Sequence, residues 1–355
     1  MSRIDPGALT EFCRGLFVAA GAPDEMAAIV ADSLVYADLR GVESHGVVRS
    51  EIYLQRIAKG MIDPHAEAEL VEDNGSTALM DGHNNFGAYI GVRALEACMD
   101  RALQHGVCAL GVRHSNHFGT GAYYVERAVG KDLALIVLSN ASQTMPATGG
   151  RRPFIGTNPI AFGFPTDREV PFVLDMATSL VARGKIIMAA KRGMEIPIGW
   201  AVDADGKPTT NAEAALAGAV LPMGGAKGSG LSMAIDILAG VLTGAGFGPS
   251  VRNMYEDWEN PQNVGHFFIA IDIGRFMEPG LFKRRIGQYI DQLKAEPKAD
   301  GVHEILYAGE LEHRLRSERR SKGLELTEKL ESDLKRLGEA HGVPWPEKRL
   351  TASAG

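Results

Sequence analysis

The chain has 355 residues, of which 37 are basic and 44 acidic, so its formal net charge at pH 7 is −7. Apolar residues make up 45% and charged residues 23%, which is ordinary globular usage and excludes a disordered or collagen-like chain. The acidic balance argues against nucleic acid or an anionic membrane surface as a partner. The length allows about two compact domains.

Cysteine usage and the start of the chain predict a cytoplasmic protein. Cys13, Cys98 and Cys108 form an odd set without a CxxC spacing, which favours reduced, apolar core residues. The first residues lead into an amphipathic segment rather than a signal peptide. Because no apolar stretch is long enough to span a bilayer, we expect no membrane partner.

The first sixty residues predict three helices. The first has Asp5 as its cap and Pro6 at its first position, the second covers about 23–41, and the third runs from about 44 to 60. The β-type runs that follow predict strands over 77–80, 107–112, 133–138, 160–164, 172–174, 266–272 and 304–307. Helices are predicted over 87–103, 120–129 and 231–242, a tight turn at Asp205 and Gly206, and a charged amphipathic helix from about 324. The fold class is therefore α/β, preceded by a helical segment.

The common nucleotide-binding and catalytic motifs are missing from the sequence. No strand leads into G-x-G-x-x-G, and there is no G-x-x-x-x-G-K-[ST] phosphate loop. There is also no H-E-x-x-H, no G-x-S-x-G and no paired Cys/His spacing for zinc. A dinucleotide bound by this chain would need a different kind of site.

The stretch 40–53 carries the first candidate site. On a continuous helix, His45, Arg49 and Tyr53 are spaced i, i+4 and i+8 and form one polar stripe. A guanidinium suits a carboxylate, an imidazole titrates near neutral pH, and a phenol adds one hydrogen bond. The stripe fits an anionic hydroxy acid, although a solvated helix face has the same spacing.

The stretch 114–121 carries the second candidate site. His117 lies between a predicted strand and a predicted helix, where α/β sheets bind ligands, and can act there as a general base. Alternatively, His45, His114 and His117 hold a metal in a hydrolase or lyase, but no carboxylate stands beside them at ligand spacing. A histidine bonded inside a turn is the plain structural interpretation.

Two further stretches are suited to phosphate. Residues 175–179 end an apolar strand and open toward a helix, where backbone N–H groups can face an anion. Lys227 lies in a glycine-rich loop, 222–230, which lets a ligand approach the backbone closely. Helix capping and a surface lysine explain the same residues without a ligand.

Seven ordered motifs resemble the malate/L-lactate/ureidoglycolate dehydrogenase family, the non-Rossmann NAD(P)-dependent 2-hydroxyacid dehydrogenases that include sulfolactate dehydrogenase. The motifs are RGVESHGVVR, SNHFG, GTNPIAF, LDMATS, ARGK, GWAVDADGKPTT and LPMGGAKGSGL, and the resemblance covers residues 5–340. It implies a non-Rossmann, mixed-sheet fold like that of sulfolactate dehydrogenase, and a homodimer. It also accounts for the missing glycine fingerprint.

The resemblance further implies a division of the chain and an activity. Residues 1–75 would form the helical part of a substrate and dimerisation domain, 76–265 an NAD(P)-binding α/β domain, 266–340 a segment packing with the N-terminal part, and 341–355 a tail. The implied reaction interconverts a small 2-hydroxy acid and its 2-oxo acid by direct hydride transfer, with NAD slightly favoured over NADP. Reduction of a cyclic imine or a diketo acid with NADPH is the alternative within the family.

The resemblance also assigns residue roles. His117 or His45 would exchange the substrate's hydroxyl proton, while Arg49 and Tyr53 would hold its carboxylate. Gln262 and His266 lie in a substrate-side segment that differs from the ureidoglycolate branch, which argues against ureidoglycolate as the substrate. The implied cofactor contacts are Asp175, Met176, Ala177, Thr178, Ser179, Lys227, Gly309, Glu310 and Leu311, with Ala308 in place of a family proline. No residue is assigned to a metal.

Overall fold

The structure is a computed structural model that describes residues 3–347; residues 1–2 and the end of the predicted tail, 348–355, lie outside the described residues. The helices are α1 Pro6–Ala19, α2 Asp24–Leu39, α3 Ser50–Ala58, α4 Gly87–His105, α5 Ala122–Val129, α6 Arg183–Lys191, α7 Ala212–Ala217, α8 Ala226–Asp236, α9 Pro279–Ala295, α10 Glu310–Lys322 and α11 Glu328–His341. Helix α1 begins as expected because Asp5 accepts a hydrogen bond from the Ala8 N–H at 2.9 Å.

The strands are β1 Arg3–Ile4, β2 Glu69–Asp73, β3 Thr77–Asp81, β4 Val107–Ser115, β5 Leu133–Ser139, β6 Met145–Pro146, β7 Pro153–Ile155, β8 Ile160–Phe164, β9 Phe172–Met176, β10 Ala201–Val202, β11 Ala219–Val220, β12 Val264–Asp272 and β13 Leu324–Glu325. Seven of them form one sheet in the order β2-β3-β4-β12-β5-β8-β9. Only β3 and β4, joined through α4, are parallel neighbours in this sheet within residues 3–347. A doubly wound sheet is mostly parallel, so the predicted non-Rossmann mixed sheet is confirmed.

The central strands bury both of their faces. Along β12, Phe268 and Ala270 belong to the main core with α4 and the N-terminal helices. Phe267 and Ile269 alternate with them and pack in a smaller core with Ile235 of α8. The sheet is therefore covered on both sides, and only its ends and the loops leaving them are open to a ligand.

The two ends of the described chain meet. Strand β1 pairs with β13, and the Phe12 ring of α1 lies 4.9 Å from the Trp345 ring. Helix α10 packs against α2. The division of the chain at residues 75, 265 and 340 stays a prediction. No helix within residues 3–347 has the length and apolar character that crossing a bilayer requires.

The predicted helix over 44–60 is wrong in its first part. Two 3-10 turns, Glu43–His45 and Val47–Arg49, precede α3. Gly46 between them has an extended backbone, and the buried Asp38 carboxylate accepts the Val47 N–H at 2.8 Å. The polar stripe of the candidate site therefore does not lie on one continuous helix.

The predicted strand over 304–307 is also wrong. The segment makes no ladder; instead the Tyr307 N–H donates to the Glu310 side chain at 3.0 Å and leads into α10. The helix predicted over 231–242 starts earlier, as α8, and continues as a π-helix over Ile237–Val241. The turn at Asp205 and Gly206 is confirmed, with Gly206 at φ +83.

Candidate active site

The loop between β4 and α5, residues 116–121, carries His117. Asn116 Nδ2 donates to the carbonyl oxygens of Asn84 and Asn85, each at 3.0 Å. The backbone N–H of His117 donates to Gln262 Oε1 at 3.0 Å. The loop is thus fixed through its backbone, and the imidazole remains available to other groups.

Three predicted side chains, those of His45, Arg49 and Tyr53, converge around this imidazole. The Tyr53 hydroxyl lies 2.6 Å from His117 Nδ1, and the centre of the His45 ring lies 5.2 Å from that of His117. Arg49 lies in the 3-10 turn that follows the turn of His45, and its Nε donates to the Ser44 carbonyl oxygen at 2.7 Å. Ser44 Oγ lies 2.9 Å from His45 Nδ1. The group predicted from helical spacing therefore forms, although it is built by turns.

Arg49 has no acidic partner. Its Nη1 contacts the Tyr255 hydroxyl and lies 3.6 Å from Met254 Sδ, and it forms no ion pair with any Asp or Glu of the described chain. Burial lowers the pKa of its guanidinium from the usual value. A half-buried cation contacted by neutral groups alone is suited to bind an anion.

The two histidines are neutral near pH 7. Burial, followed by the Arg49 charge, lowers the pKa of His45 to about 4. Burial and then the charges of Arg49 and His45 lower the pKa of His117 well below the usual value. Burial raises the pKa of Tyr53 to about 12, so this phenol stays protonated. A neutral imidazole can accept a proton, most readily once an anion offsets the nearby guanidinium.

The predicted cofactor residues at the end of β9 lie beside the His117 loop. Asp175 Oδ2 accepts the Ala122 N–H at 2.9 Å and so joins β9 to the start of α5, and burial raises its pKa. His117 and Ala122 are five positions apart in the chain, so the Cα atoms of these two residues are at most about 17 Å apart. The two predicted clusters are therefore neighbours.

Unpartnered hydroxyl groups lie in the next part of this region. The hydroxyls of Thr178, Ser179 and Ser229 are buried and have no hydrogen-bond partner within the described chain. The Met223 N–H donates to the Thr178 carbonyl oxygen at 2.9 Å, which attaches the glycine-rich loop to the end of β9. Since buried hydroxyls usually find partners, polar atoms of a dinucleotide fit here, with the exposed Lys227 at the start of α8.

The last predicted cofactor segment, residues 308–311 and here called the late turn, also meets β9. The Ala308 carbonyl oxygen accepts the Val173 N–H at 3.1 Å, and Gly309, at φ +102, begins α10. The Glu310 carboxylate is used within the fold, where it pairs with Lys294 Nζ at 2.7 Å. The remaining predicted cofactor residues have half-buried or exposed side chains: Met176, Ala177 and Leu311.

Two predicted substrate residues, Gln262 and His266, contact the loop. Gln262 is buried and binds the loop backbone. His266 is fully buried, with Nδ1 2.9 Å from Ser139 Oγ and Nε2 2.7 Å from Ser115 Oγ, and its ring stacks on Phe118 at 4.4 Å. Because both ring nitrogens are engaged inside the protein, we interpret His266 as a support for the loop and not as a substrate contact.

The metal hypothesis receives no support from these positions. His114 Nδ1 lies 2.9 Å from Asp81 Oδ2, and the same oxygen accepts Arg113 Nε at 2.9 Å. In the part of the chain that the structure describes, no group of three or more His, Cys, Asp or Glu side chains is placed to hold a metal ion.

Sequence reasoning missed the residues that hold the site from behind. Asp38 is 3% exposed, burial raises its pKa to about 7, and its carboxylate fixes the turn between His45 and Arg49. Arg56 is fully buried and donates to three carbonyl oxygens of the segment 254–260 at 3.0 to 3.3 Å. A charged residue at a helical position was the only signal, and it does not distinguish a buried group from an exposed one.

Comparisons with known proteins agree with this architecture. The family model described as malate/L-lactate dehydrogenase matches residues 4–335. An L-sulfolactate dehydrogenase of Methanothermobacter thermautotrophicus is 38% identical and aligns over 92% of this chain and 94% of its own length. A ureidoglycolate dehydrogenase (NAD(+)) of Escherichia coli O157:H7 is 38% identical over 82% and 83%, and a (2R)-3-sulfolactate dehydrogenase (NADP(+)) of Chromohalobacter salexigens is 36% identical over 89% and 92%.

Solved structures show the same fold. Malate dehydrogenase from Entamoeba histolytica superimposes with a TM-score of 0.93 at 31% identity, covering 97% of this chain and 99% of its own. Delta1-piperideine-2-carboxylate reductase from Pseudomonas syringae pvar. tomato gives a TM-score of 0.86 at 30% identity, covering 95% and 100%. The chain therefore belongs to the malate/L-lactate dehydrogenase family and is an NAD(P)-dependent 2-hydroxyacid oxidoreductase.

Proposed function

We propose that His117, His45, Arg49 and Tyr53 form the active centre of this oxidoreductase. Bound NAD or NADP would supply hydride transfer at the substrate's C2, and the residues proposed below would hold it. The chain's own side chains then have two tasks, which are to hold the substrate's carboxylate and to move the proton of its C2 hydroxyl.

The main support for the proposal is that the Arg49 guanidinium has no acidic partner among residues 3–347. A 2-hydroxy acid has its carboxylate on the carbon that reacts, and a carboxylate binds a guanidinium through two hydrogen bonds. Such a pair would hold C2 and its hydroxyl beside the imidazoles of His45 and His117, whose rings lie 5.2 Å apart.

We assign the proton transfer to His117. The Tyr53 hydroxyl can accept the Nδ1–H of this imidazole, which leaves Nε2 as the base that takes the hydroxyl proton. Within the described chain, the comparable partner of His45 is the exposed Ser44 hydroxyl. Tyr53 thereby orients the base, a role that differs from the expectation that it holds the carboxylate.

For the cofactor we propose the region formed by the end of β9, the start of α8 and the late turn. Its members are Asp175, Met176, Ala177, Thr178, Ser179, Lys227, Gly309, Glu310 and Leu311. The three unpartnered hydroxyls and the short link from His117 to Ala122 support this assignment. Glu310 would contribute through its backbone, because its carboxylate already pairs with Lys294.

We propose a small anionic substrate of the sulfolactate or malate type, after the names of the relatives. A cyclic 2-imino acid is a second candidate, favoured by the similarity to the piperideine carboxylate reductase. Its carboxylate also lies next to the carbon to be reduced, so the same Arg49 contact serves both substrates.

We further propose a cytoplasmic homodimer. Met233, Ile237 and Val241 follow one another at four-residue intervals on the outer side of α8 and the π-helix, and Ile237 and Val241 are 56% and 52% exposed. Exposed apolar faces of this kind mark protein contacts. The cytoplasmic location is supported by three buried cysteines that remain free thiols.

The test is oxidation of NADH and of NADPH with a panel of 2-oxo acids: pyruvate, oxaloacetate, glyoxylate, hydroxypyruvate and sulfopyruvate. We expect at least one to be reduced, and the corresponding hydroxy acid to be oxidised in reverse. If neither cofactor is oxidised with any of these acids or with piperideine-2-carboxylate, the proposed activity is wrong.

A further inference from the structure

The Tyr53 hydroxyl is held beside the base in a buried position. It lies 2.6 Å from His117 Nδ1, and its side chain is only 5% exposed. A phenol has a single proton to donate and one oxygen to accept with. With the Nδ1–H of the imidazole donating to the phenol oxygen, Tyr53 orients the base and its O–H lies in a buried position, so a more exposed group is better placed to assist Arg49.

A second tyrosine stands at the open side of the guanidinium. Arg49 Nη1 contacts the Tyr255 hydroxyl, and the Arg49 Cζ lies 5.4 Å from the centre of the Tyr255 ring. In this contact the guanidinium N–H donates to the phenol oxygen, so the phenol proton has no partner within the described chain. Tyr255 is 53% exposed, so its side chain reaches solvent, from which a substrate arrives.

The backbone around Tyr255 is held in place by contacts of its neighbours with buried residues. Met254 is buried in the main core, and the buried Arg56 donates to the Met254 and Asp257 carbonyl oxygens at 3.1 and 3.0 Å. The Trp258 ring lies 5.8 Å from the Arg56 Cζ. Tyr255 is therefore an exposed side chain on an anchored segment, so its position beside Arg49 is set by the backbone.

We propose that Tyr255 is the second donor to the substrate's carboxylate, and that it binds this group together with Arg49. The inference rests on the proposed function and refines it. The carboxylate would accept an N–H of Arg49 and the O–H of Tyr255, while Tyr53 serves the base. Both donors are then on the side of the site that a 2-hydroxy acid must enter.

The test compares Tyr255→Phe, Tyr53→Phe and the control Tyr289→Phe, an exposed tyrosine on α9 that is 62% exposed. The probes are the 2-oxo acid that wild type reduces fastest, and oxamate, an inert carboxylate analogue titrated calorimetrically in the presence of NADH and of NADPH. We expect Tyr255→Phe to weaken oxamate binding and lower kcat/KM about tenfold or more, through KM. Tyr53→Phe should instead act mainly on kcat, and Tyr289→Phe should match wild type.

The outcomes separate this inference from the proposed function. Turnover of a 2-oxo acid with unchanged oxamate binding in Tyr255→Phe overturns the role of Tyr255 and leaves the function standing. If KM rises in Tyr53→Phe and not in Tyr255→Phe, Tyr53 binds the substrate's carboxylate and Tyr255 does not. If wild type reduces no acid of the panel, the proposed function is wrong. The oxamate titration then still tests the role of Tyr255. The inference is also wrong if wild type does not bind oxamate, or if Tyr255→Phe binds it as tightly as wild type.

Discussion

Gly46 lies so close to Asp38 that a Cβ atom at position 46 would stand 1.8 Å from Asp38 Oδ1. The carboxylate fills the place of a side chain, accepts the Val47 N–H and divides the two 3-10 turns. His45 leaves the first turn and Arg49 the second. Gly46 and the buried Asp38 therefore set the position of His45 relative to Arg49.

Gly46→Ala should damage both stability and turnover. The added methyl group must displace a buried carboxylate, so the free energy of unfolding should fall by about 1–3 kcal/mol, and kcat/KM should fall because the turn shifts. Gly130→Ala is the matched control, since its Cβ would meet nothing nearer than 3.5 Å. Thermal unfolding and steady-state kinetics on both variants measure this. A Gly46→Ala enzyme with wild-type stability would mean that the close contact does not exist.

Substituting His117 should affect chemistry much more than binding. A general base contributes roughly 10²–10⁴-fold, so His117→Ala should lower kcat by about that factor and leave the dissociation constant for NADH or NADPH nearly unchanged. Stopped-flow turnover and fluorescence titration of the reduced cofactor measure the two effects. His303→Ala, an exposed position, is the control. If His117→Ala keeps its turnover while His45→Ala loses it, the two histidines exchange roles.

Much of this site could be read from the sequence because its chemistry is local. His45, Arg49 and Tyr53 converge with His117 as the residue types suggested, although the helix that motivated their spacing is interrupted. The motifs at 174–179 and 221–231 are joined by a hydrogen bond from the Met223 N–H to the Thr178 carbonyl oxygen, and the sequence pattern does not predict this contact. The charged run 314–320 fits a solvated helix face and lies in α10, but the contacts that place this helix, such as Arg316 with Glu126, join residues far apart in the chain.

On the acid side, kcat/KM for hydroxy-acid oxidation should begin to fall only below about pH 6.5. His117 must be neutral to accept the hydroxyl proton, and burial with the Arg49 charge lowers its pKa below the usual value. In the free enzyme, kcat/KM for oxidation should therefore hold as pH falls to about 6.5 and decline only below that. In the substrate complex the carboxylate offsets the Arg49 charge, so the limb of kcat should lie at higher pH. A kcat/KM limb above pH 7 would contradict this order.

Arg49→Lys should weaken substrate capture while retaining a positive charge. A lysine ammonium cannot reproduce the two parallel hydrogen bonds of a guanidinium, so KM for the 2-oxo acid should rise about 10–100-fold. The KM for the reduced cofactor should not change, which separates a local effect from a general loss of structure. Arg336→Lys, at an exposed ion pair with Glu51, serves as the control. Equal KM values for Arg49→Lys and wild type would remove Arg49 from the carboxylate site.

His266 should make the protein sensitive to acid. Burial lowers its pKa to about 3, against about 6.5 in an unfolded chain. Between these values the unfolded chain binds one proton more than the folded one, so this histidine's contribution to stability is lost as pH falls, by about 1.4 kcal/mol per pH unit. His266→Gln removes the titrating group and should reduce the slope of unfolding free energy against pH by that amount. Its stability at pH 7 should also be lower, because Ser115 and Ser139 lose a partner.

Urea unfolding of wild type, His266→Gln and the exposed control His303→Gln at several pH values between about 5 and 6.5 gives the three slopes. The control should retain the wild-type slope, since the His303 side chain is exposed and packs into no core. A slope that is the same in His266→Gln and in wild type would mean that His266 is protonated inside the fold. In that case its two serine contacts would both be acceptors, and the stacked Phe118 would lie against an imidazolium.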